Sequence, residues 1–198
     1  MASFRSEPFL WVHLAGIAVA PFALLVVWLA LAIAVPLTPY WLELGFLVGI
    51  GVLPILWMQW HKPFEIFSLL VVALRPEMLT LEQRKILSLF KQPHQRVLTV
   101  LTALLMTGKL FALYYFAPLA SLPALDLPQI RIAALGVAAI AFLIANLFVQ
   151  VPVSVLGILL TSNATYEQIS PIELSEIPQK LTLFGFRVKK IPLIPQGS

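Results

Sequence analysis

The chain has 198 residues, 60% of them hydrophobic and 11% charged, with a net charge of +4 and no cysteine. About a quarter of the residues in a soluble domain are charged and a disordered segment is far less apolar, so both classes are excluded. So are disulfides, thiolate metal sites and cysteine nucleophiles, which leaves a polytopic membrane protein with room for one bundle.

Four apolar stretches, residues 9–35, 40–60, 97–117 and 132–160, are each long enough to cross the bilayer, since about 20 residues at 1.5 Å per residue cover about 30 Å of hydrocarbon. The first and last exceed that need, and Pro21 and Pro152 mark expected kinks because each removes a backbone donor. Ala18-Val19-Ala20 imitates a signal-peptide cleavage site, but Pro21 follows and the apolar run continues, so the stretch reads as a span. His13 sits about one turn inside it. In the second span Gly45 and Gly49 form a GxxxG pair, a face on which backbones approach closely, within the bundle or against a foreign helix. Gly16/Ala20, Ala134/Ala138 and Ala141/Ala145 are looser versions of the same spacing. The tryptophans mostly lie near span ends and read as interface anchors or, equally, as contacts for a pigment.

Residues 61–96 form a long loop. Its run 64–74 is too short to span and contains Glu65 and Ser68, which suits an interfacial or re-entrant helix. Thr80-Leu81-Glu82-Gln83 has capping-box spacing ahead of Ile86-Leu87-Ser88-Leu89-Phe90. On a helical wheel Arg84, Lys85, Ser88 and Lys91 share one arc and the apolar residues fill much of the other. That amphipathic helix suits an anionic leaflet through Arg84, Lys85 and Lys91, or the end of the bundle. Pro93 ends it.

The third span carries Lys109, for which Glu43 of the second span is one expected partner and Asp126 of the outer loop another. In the fourth, Asn146 and Gln150 are i,i+4 and share a packing face, with Gln150 in reach of the carbonyl freed by Pro152. The tail, 162–198, opens as a polar linker and then reads as extended over 180–191. Leu181 and Leu183 alternate in one phase, Phe184, Phe186 and Val188 in the other, and Gly185 sits at the change. Such a strand either folds back over the loop helices or docks on another protein by strand addition, through Phe184, Phe186 and Val188.

Eleven basic residues fall in the N-terminus, the long loop and the tail, against one, Arg131, in the other two connections. The positive-inside rule therefore puts both termini and the loop in the cytoplasm, which four spans permit. The expected fold is an all-α four-transmembrane-helix bundle, residues 1–161, with amphipathic cytoplasmic helices and an extended cytoplasmic tail.

Chemistry is sparse. HExxH, GxSxG, P-loop and GxGxxG are all missing from the sequence, and its one aspartate, Asp126, falls on the opposite side from the three histidines. A Lys109–Glu43 bridge reads as a structural clamp, or as part of a proton or ion relay in a small transporter. His13 offers a neutral imidazole to the metal of a chlorophyll or haem, or simply an interfacial hydrogen bond.

Ser6-Glu7-Pro8-Phe9-Leu10-Trp11-Val12-His13-Leu14-Ala15-Gly16, Pro54-Ile55-Leu56-Trp57-Met58-Gln59 and Asn146-Leu147-Phe148-Val149-Gln150-Val151-Pro152-Val153-Ser154-Val155-Leu156 resemble a family of small cyanobacterial proteins, the low-complexity tail membrane proteins. The similarity covers residues 4 to about 161; the tail departs from it, being short and not low in complexity. The resemblance implies a thylakoid setting, with no established activity or catalytic residue to carry over. The expectation is a non-enzymatic accessory or assembly subunit of a photosynthetic complex, photosystem II first, with photosystem subunits and anionic lipids as partners and no nucleic acid. The alternative is a pigment- or lipid-binding protein, with chlorophyll or a carotenoid as the pigment class.

Overall fold

The structure is a computed structural model that describes residues 4–191 apart from 38, 70, 71 and 184. Four helical stretches are long and apolar enough to cross a membrane, Pro8–Ala32, Tyr40–His61, Pro93–Tyr115 and Arg131–Leu159. Proline sets two of the starts: Pro8 and Pro93 each occupy the first helical position, where a missing N–H costs nothing. The first span stops earlier than hydropathy suggests, because Ile33 turns extended and Ala34 adopts a left-handed φ of 55°. Ala34 is held there by its N–H, which donates to Gln129 Oε1 at 3.0 Å.

Two spans are broken near prolines. The first comprises α1 (Pro8–Ala15), a 3₁₀ turn (Gly16–Ala18) and α2 (Val19–Ala32). Pro21 cannot donate to the Ile17 carbonyl, and the tightened turn lies at that place. The second divides at Val52 into α3 (Tyr40–Gly51) and α4 (Leu53–His61), just ahead of Pro54. The break at Pro54 adds to the kinks read from the sequence, whereas the fourth span continues as one helix through Pro152.

The chain divides into two compact units. The span unit comprises Gly16–Leu56 and Val100–Gln150. Its core joins Val27 and Leu31 of α2, Leu44 and Leu47 of α3, Met106 and Leu110, and Ala138, Phe142 and Ala145. Alanine supplies the close approaches: Ala134, Ala138, Ala141 and Ala145 are all buried. Gly45 and Gly49 are not the contact. A Cβ built on either meets nothing within 4 Å, so among the described residues the GxxxG face stays open, against one of the two roles expected of it. The tight glycine is Gly51, whose Cβ would fall 2.4 Å from Phe142 Cδ1.

The loop-and-tail unit comprises Met1–Ala15, Trp57–Thr99 and Val151–Ser198. The described residues of the 64–74 run do not form the expected helix; β1 (Ser68–Leu69) and β2 (Val72–Leu74) pair antiparallel there. Local side-chain bonds compete with helix there: Ser68 Oγ donates to the Glu65 carbonyl at 2.7 Å and the Phe67 N–H donates to Glu65 Oε1 at 3.0 Å. Then follow α5 (Leu81–Leu89), α6 (Pro93–Tyr115, the third span), a short α7 (Ser121–Ala124) in the span unit, and α8 (Arg131–Leu159, the fourth span).

The tail adds α9 (Asn163–Gln168), α10 (Ile177–Lys180) and β3 (Phe186–Val188), which pairs parallel with β2 to complete a three-stranded sheet. The tail strand folds back over the loop, but onto the strand β2 and not onto the loop helices that the sequence suggests. Gly185, at φ 98°, makes the turn into β3 that a side chain would strain. One core, including Phe9, Leu10, Phe67, Leu87, Val155 and Ile177, joins span ends, loop and tail.

Candidate functional site

The strongest polar group in the span unit is Arg131, at the first position of α8 and 4% exposed. Its guanidinium grips the Glu43 carboxylate with two nitrogens, Nε at 3.2 Å from Oε1 and Nη2 on Oε2. Nη1 donates to the Leu31 and Ile33 carbonyls at 2.7 and 3.0 Å, two acceptors left free where α2 ends. Tyr114 Oη donates to Glu43 Oε2 at 2.8 Å. One charge pair thus ties all four span sequences together, and its fork geometry is what arginine supplies and lysine does not.

The expected Lys109–Glu43 pair does not form. Lys109 is exposed on its helix, and the carboxylate is taken by Arg131. The signal that would have found the pair is the presence of an arginine at the start of an otherwise apolar 29-residue helix.

Asn146 and Gln150 share a face as expected, and both are buried. Asn146 Nδ2 donates to the Gly51 carbonyl at 2.9 Å, where α3 gives way to α4, so the amide repairs a helix break. Gln150 does not serve the Pro152 turn. Its Nε2 donates to Asn146 Oδ1 at 3.2 Å, and its own Oε1 is buried without a partner.

In the loop-and-tail unit, His13 Nδ1 bonds the Phe9 carbonyl at 2.8 Å, and the ring lies 5.7 Å from that of Phe64. The His61 ring lies tilted against that of Trp57, with centroids 3.9 Å apart. Among the described residues no three His, Asp or Glu side chains come together as a metal site would require.

Glu65 is 1% exposed, and its second oxygen, Oε2, has no partner. Burial pushes its carboxyl up to about 7, against the opposing pull of the Phe67 N–H and of Arg187. Its own N–H donates to the Thr182 carbonyl at 3.1 Å, so this group sits where the tail crosses the loop.

The loop helix α5 is capped as its sequence implies. Gln83 N–H donates to Thr80 Oγ1 at 3.2 Å, and Thr80 N–H donates to Gln83 Oε1 at 3.1 Å. Its apolar arc is buried in the unit's core. The basic arc is partly occupied by protein. Arg84 Nε donates to the Ile172 carbonyl at 2.6 Å, Ser88 Oγ to that of Ser170 at 2.8 Å, and Lys85 lies over the Tyr166 ring at 5.5 Å. Lys91 Nζ donates to the His61 carbonyl at 3.1 Å; burial lowers its pKa, and the nearby Arg96, Lys180 and Lys62 lower it further. Arg84, Ser88 and Lys85 therefore hold the tail on this helix, and Lys91 ties the helix end to the start of the loop.

Of the tail residues expected to dock, Val188 is half-buried in the unit's core, Phe186 is 80% exposed, and Phe184 lies outside the described residues. A contact the sequence concealed is Arg5. Its guanidinium donates to the Leu159 and Thr161 carbonyls at 2.8 and 2.5 Å and to Asn163 Oδ1 at 2.7 Å, capping the end of α8 with a charge the helix dipole favours.

Four long apolar helices stitched by a buried ion pair define an integral membrane protein. The chain matches the family described as low-complexity tail membrane protein-like over residues 6–193, and it belongs to that family. The match extends through the tail, beyond the 4 to about 161 that resemblance alone covered. No curated protein and no solved structure matches the chain.

Proposed function

We propose that this protein is a non-catalytic accessory or assembly subunit of a photosynthetic membrane complex, with photosystem II or its assembly intermediates as the first candidate. The observation that carries the reading is the way its polar groups are spent. Arg131, Glu43, Tyr114 and Asn146 are consumed in tying this chain's own helices together. The open Gly45/Gly49 face is then available to a neighbouring helix, since small residues let backbones approach within lipid. All basic residues except Lys109 and Arg131 belong to the loop-and-tail unit, which supports a cytoplasmic placement of that unit and of both termini. The thylakoid setting rests on the family resemblance.

The test is affinity purification of the tagged chain from cyanobacterial thylakoids in mild detergent. Photosystem subunits should co-purify, and a Gly45→Leu/Gly49→Leu variant should retrieve at least severalfold less of them while remaining folded. Recovery of the wild-type chain alone would refute the reading.

A further inference from the structure

In the β2–β3 pair Ala73 lies opposite Arg187 and Leu74 opposite Val188. The Arg75 N–H then donates to the Val188 carbonyl at 3.0 Å, carrying the pairing past the end of β2. Side chains alternate between faces along a strand, so this register brings Arg75, Arg187 and Lys189 out on one face. The three line an open cavity of ≈ 510 Å³, with Glu77 and Met78 completing its wall.

Electrostatically the arrangement is unbalanced. The ion pairs among the described residues are Arg131–Glu43 and Lys180–Glu176, so none of the cavity's cations is neutralised by direct contact. Like charges on adjacent strands repel, and one carboxylate, Glu77, faces three cations. Arg187 also feels the buried Glu65 carboxyl, but that group lies inside the unit and away from solvent. Two of the cations come from the tail and one from the loop. The site therefore exists only when β3 is seated on β2, and an anion bound there would relieve the repulsion that opposes seating. The cavity exceeds the needs of a bare phosphate, and the exposed Met78 on its wall offers apolar surface beside the charges.

We infer that Arg75, Arg187 and Lys189 form a binding site for a phosphate-type anion, and that its occupation holds the tail strand on the loop hairpin. The anion is either the headgroup of an anionic phospholipid or a free phosphate. Two arginines suit it, because a guanidinium fork matches phosphate oxygens in pairs. The site is separate from the α5 residues read from the sequence as membrane contacts, and it does not depend on which complex the chain joins.

The experiment uses the full chain in a neutral detergent and titrates it, at low salt, with inorganic phosphate, short-chain phosphatidylglycerol or short-chain phosphatidylcholine. The readouts are the thermal-unfolding midpoint and amide exchange at Phe186–Val188. Phosphatidylglycerol should raise the midpoint saturably and slow exchange in β3, while phosphatidylcholine should do neither. Arg187→Gln/Lys189→Gln should weaken the apparent affinity about tenfold or more, with helix content unchanged by circular dichroism. Lys190→Gln, next to the cavity, should change it less than about threefold, and Arg187→Lys should retain most of it. An equal response to inorganic phosphate identifies the source as a free anion; a response to phosphatidylglycerol alone identifies a lipid headgroup. The inference is overturned by no saturable effect from either anion, by an equal effect of phosphatidylcholine, or by an undiminished effect in the double variant.

Discussion

The two units handle charge in opposite ways. In the span unit one arginine and one glutamate are buried against each other, with the third guanidinium nitrogen on two carbonyls and the second carboxylate oxygen shared with a tyrosine. In the loop-and-tail unit three cations, Arg5, Arg84 and Lys91, reach backbone carbonyls, and others, such as Arg75, Arg187 and Lys189, are exposed. The contrast teaches where a charge is structural. In hydrocarbon an unpaired ion is too costly to tolerate, so the pair is closed and specific. At a wet surface the same residue type is cheap to leave free, and it becomes available for contacts with something else.

The largest effect should come from breaking the closed pair. Arg131→Met leaves the Glu43 carboxylate buried without its cation, and should lower stability by about 3–5 kcal/mol in detergent unfolding. Arg131→Met/Glu43→Met should recover most of that loss, which separates the value of the pair from the penalty of an orphaned charge. Lys109→Met should leave stability within about 0.5 kcal/mol, since its helix face is open.

Glu65 is the test in the other unit. Its folded carboxyl lies at about 7, above the ordinary 4.5, so between those values the folded chain keeps a proton that the unfolded chain releases. Stability should therefore fall as pH rises through that window and level off above 7, by up to roughly 3 kcal/mol. Glu65→Gln should flatten that slope and stabilise the chain at pH 8; an unchanged slope would assign the pH dependence to other groups, such as Glu7, which burial also raises.

The smallest effect distinguishes glycines. Gly51→Ala drives a methyl into Phe142 and should cost about 1–3 kcal/mol, whereas Gly45→Ala meets nothing and should be neutral or stabilising by about 0.5–1 kcal/mol. A Gly45 variant that is stable alone but fails to co-purify with a larger complex would show that the open face belongs to a partner.

Local signals carried much of this protein. Span number, the Thr80 capping box, the shared face of Asn146 and Gln150 and the turn at Gly185 all follow from spacing and residue type, because helix periodicity and capping act over three or four residues. The hairpin at 68–74 was illegible for a related reason: a short apolar run carries no periodicity that separates strand from helix, and its sheet depends on β3, more than a hundred residues away.

Tertiary structure alone decided the pairings. Glu43 had two candidate cations by composition, and the choice of Arg131 over Lys109 was made by which helix end faces the carboxylate and which side chain can also satisfy two free carbonyls. The GxxxG motif states that a backbone can be approached, but whether anything approaches it depends on the rotation of the helix within the bundle. Hydropathy determines that a segment enters lipid; only the three-dimensional arrangement determines which of its faces meets protein, because the apolar effect is the same on every side of the helix.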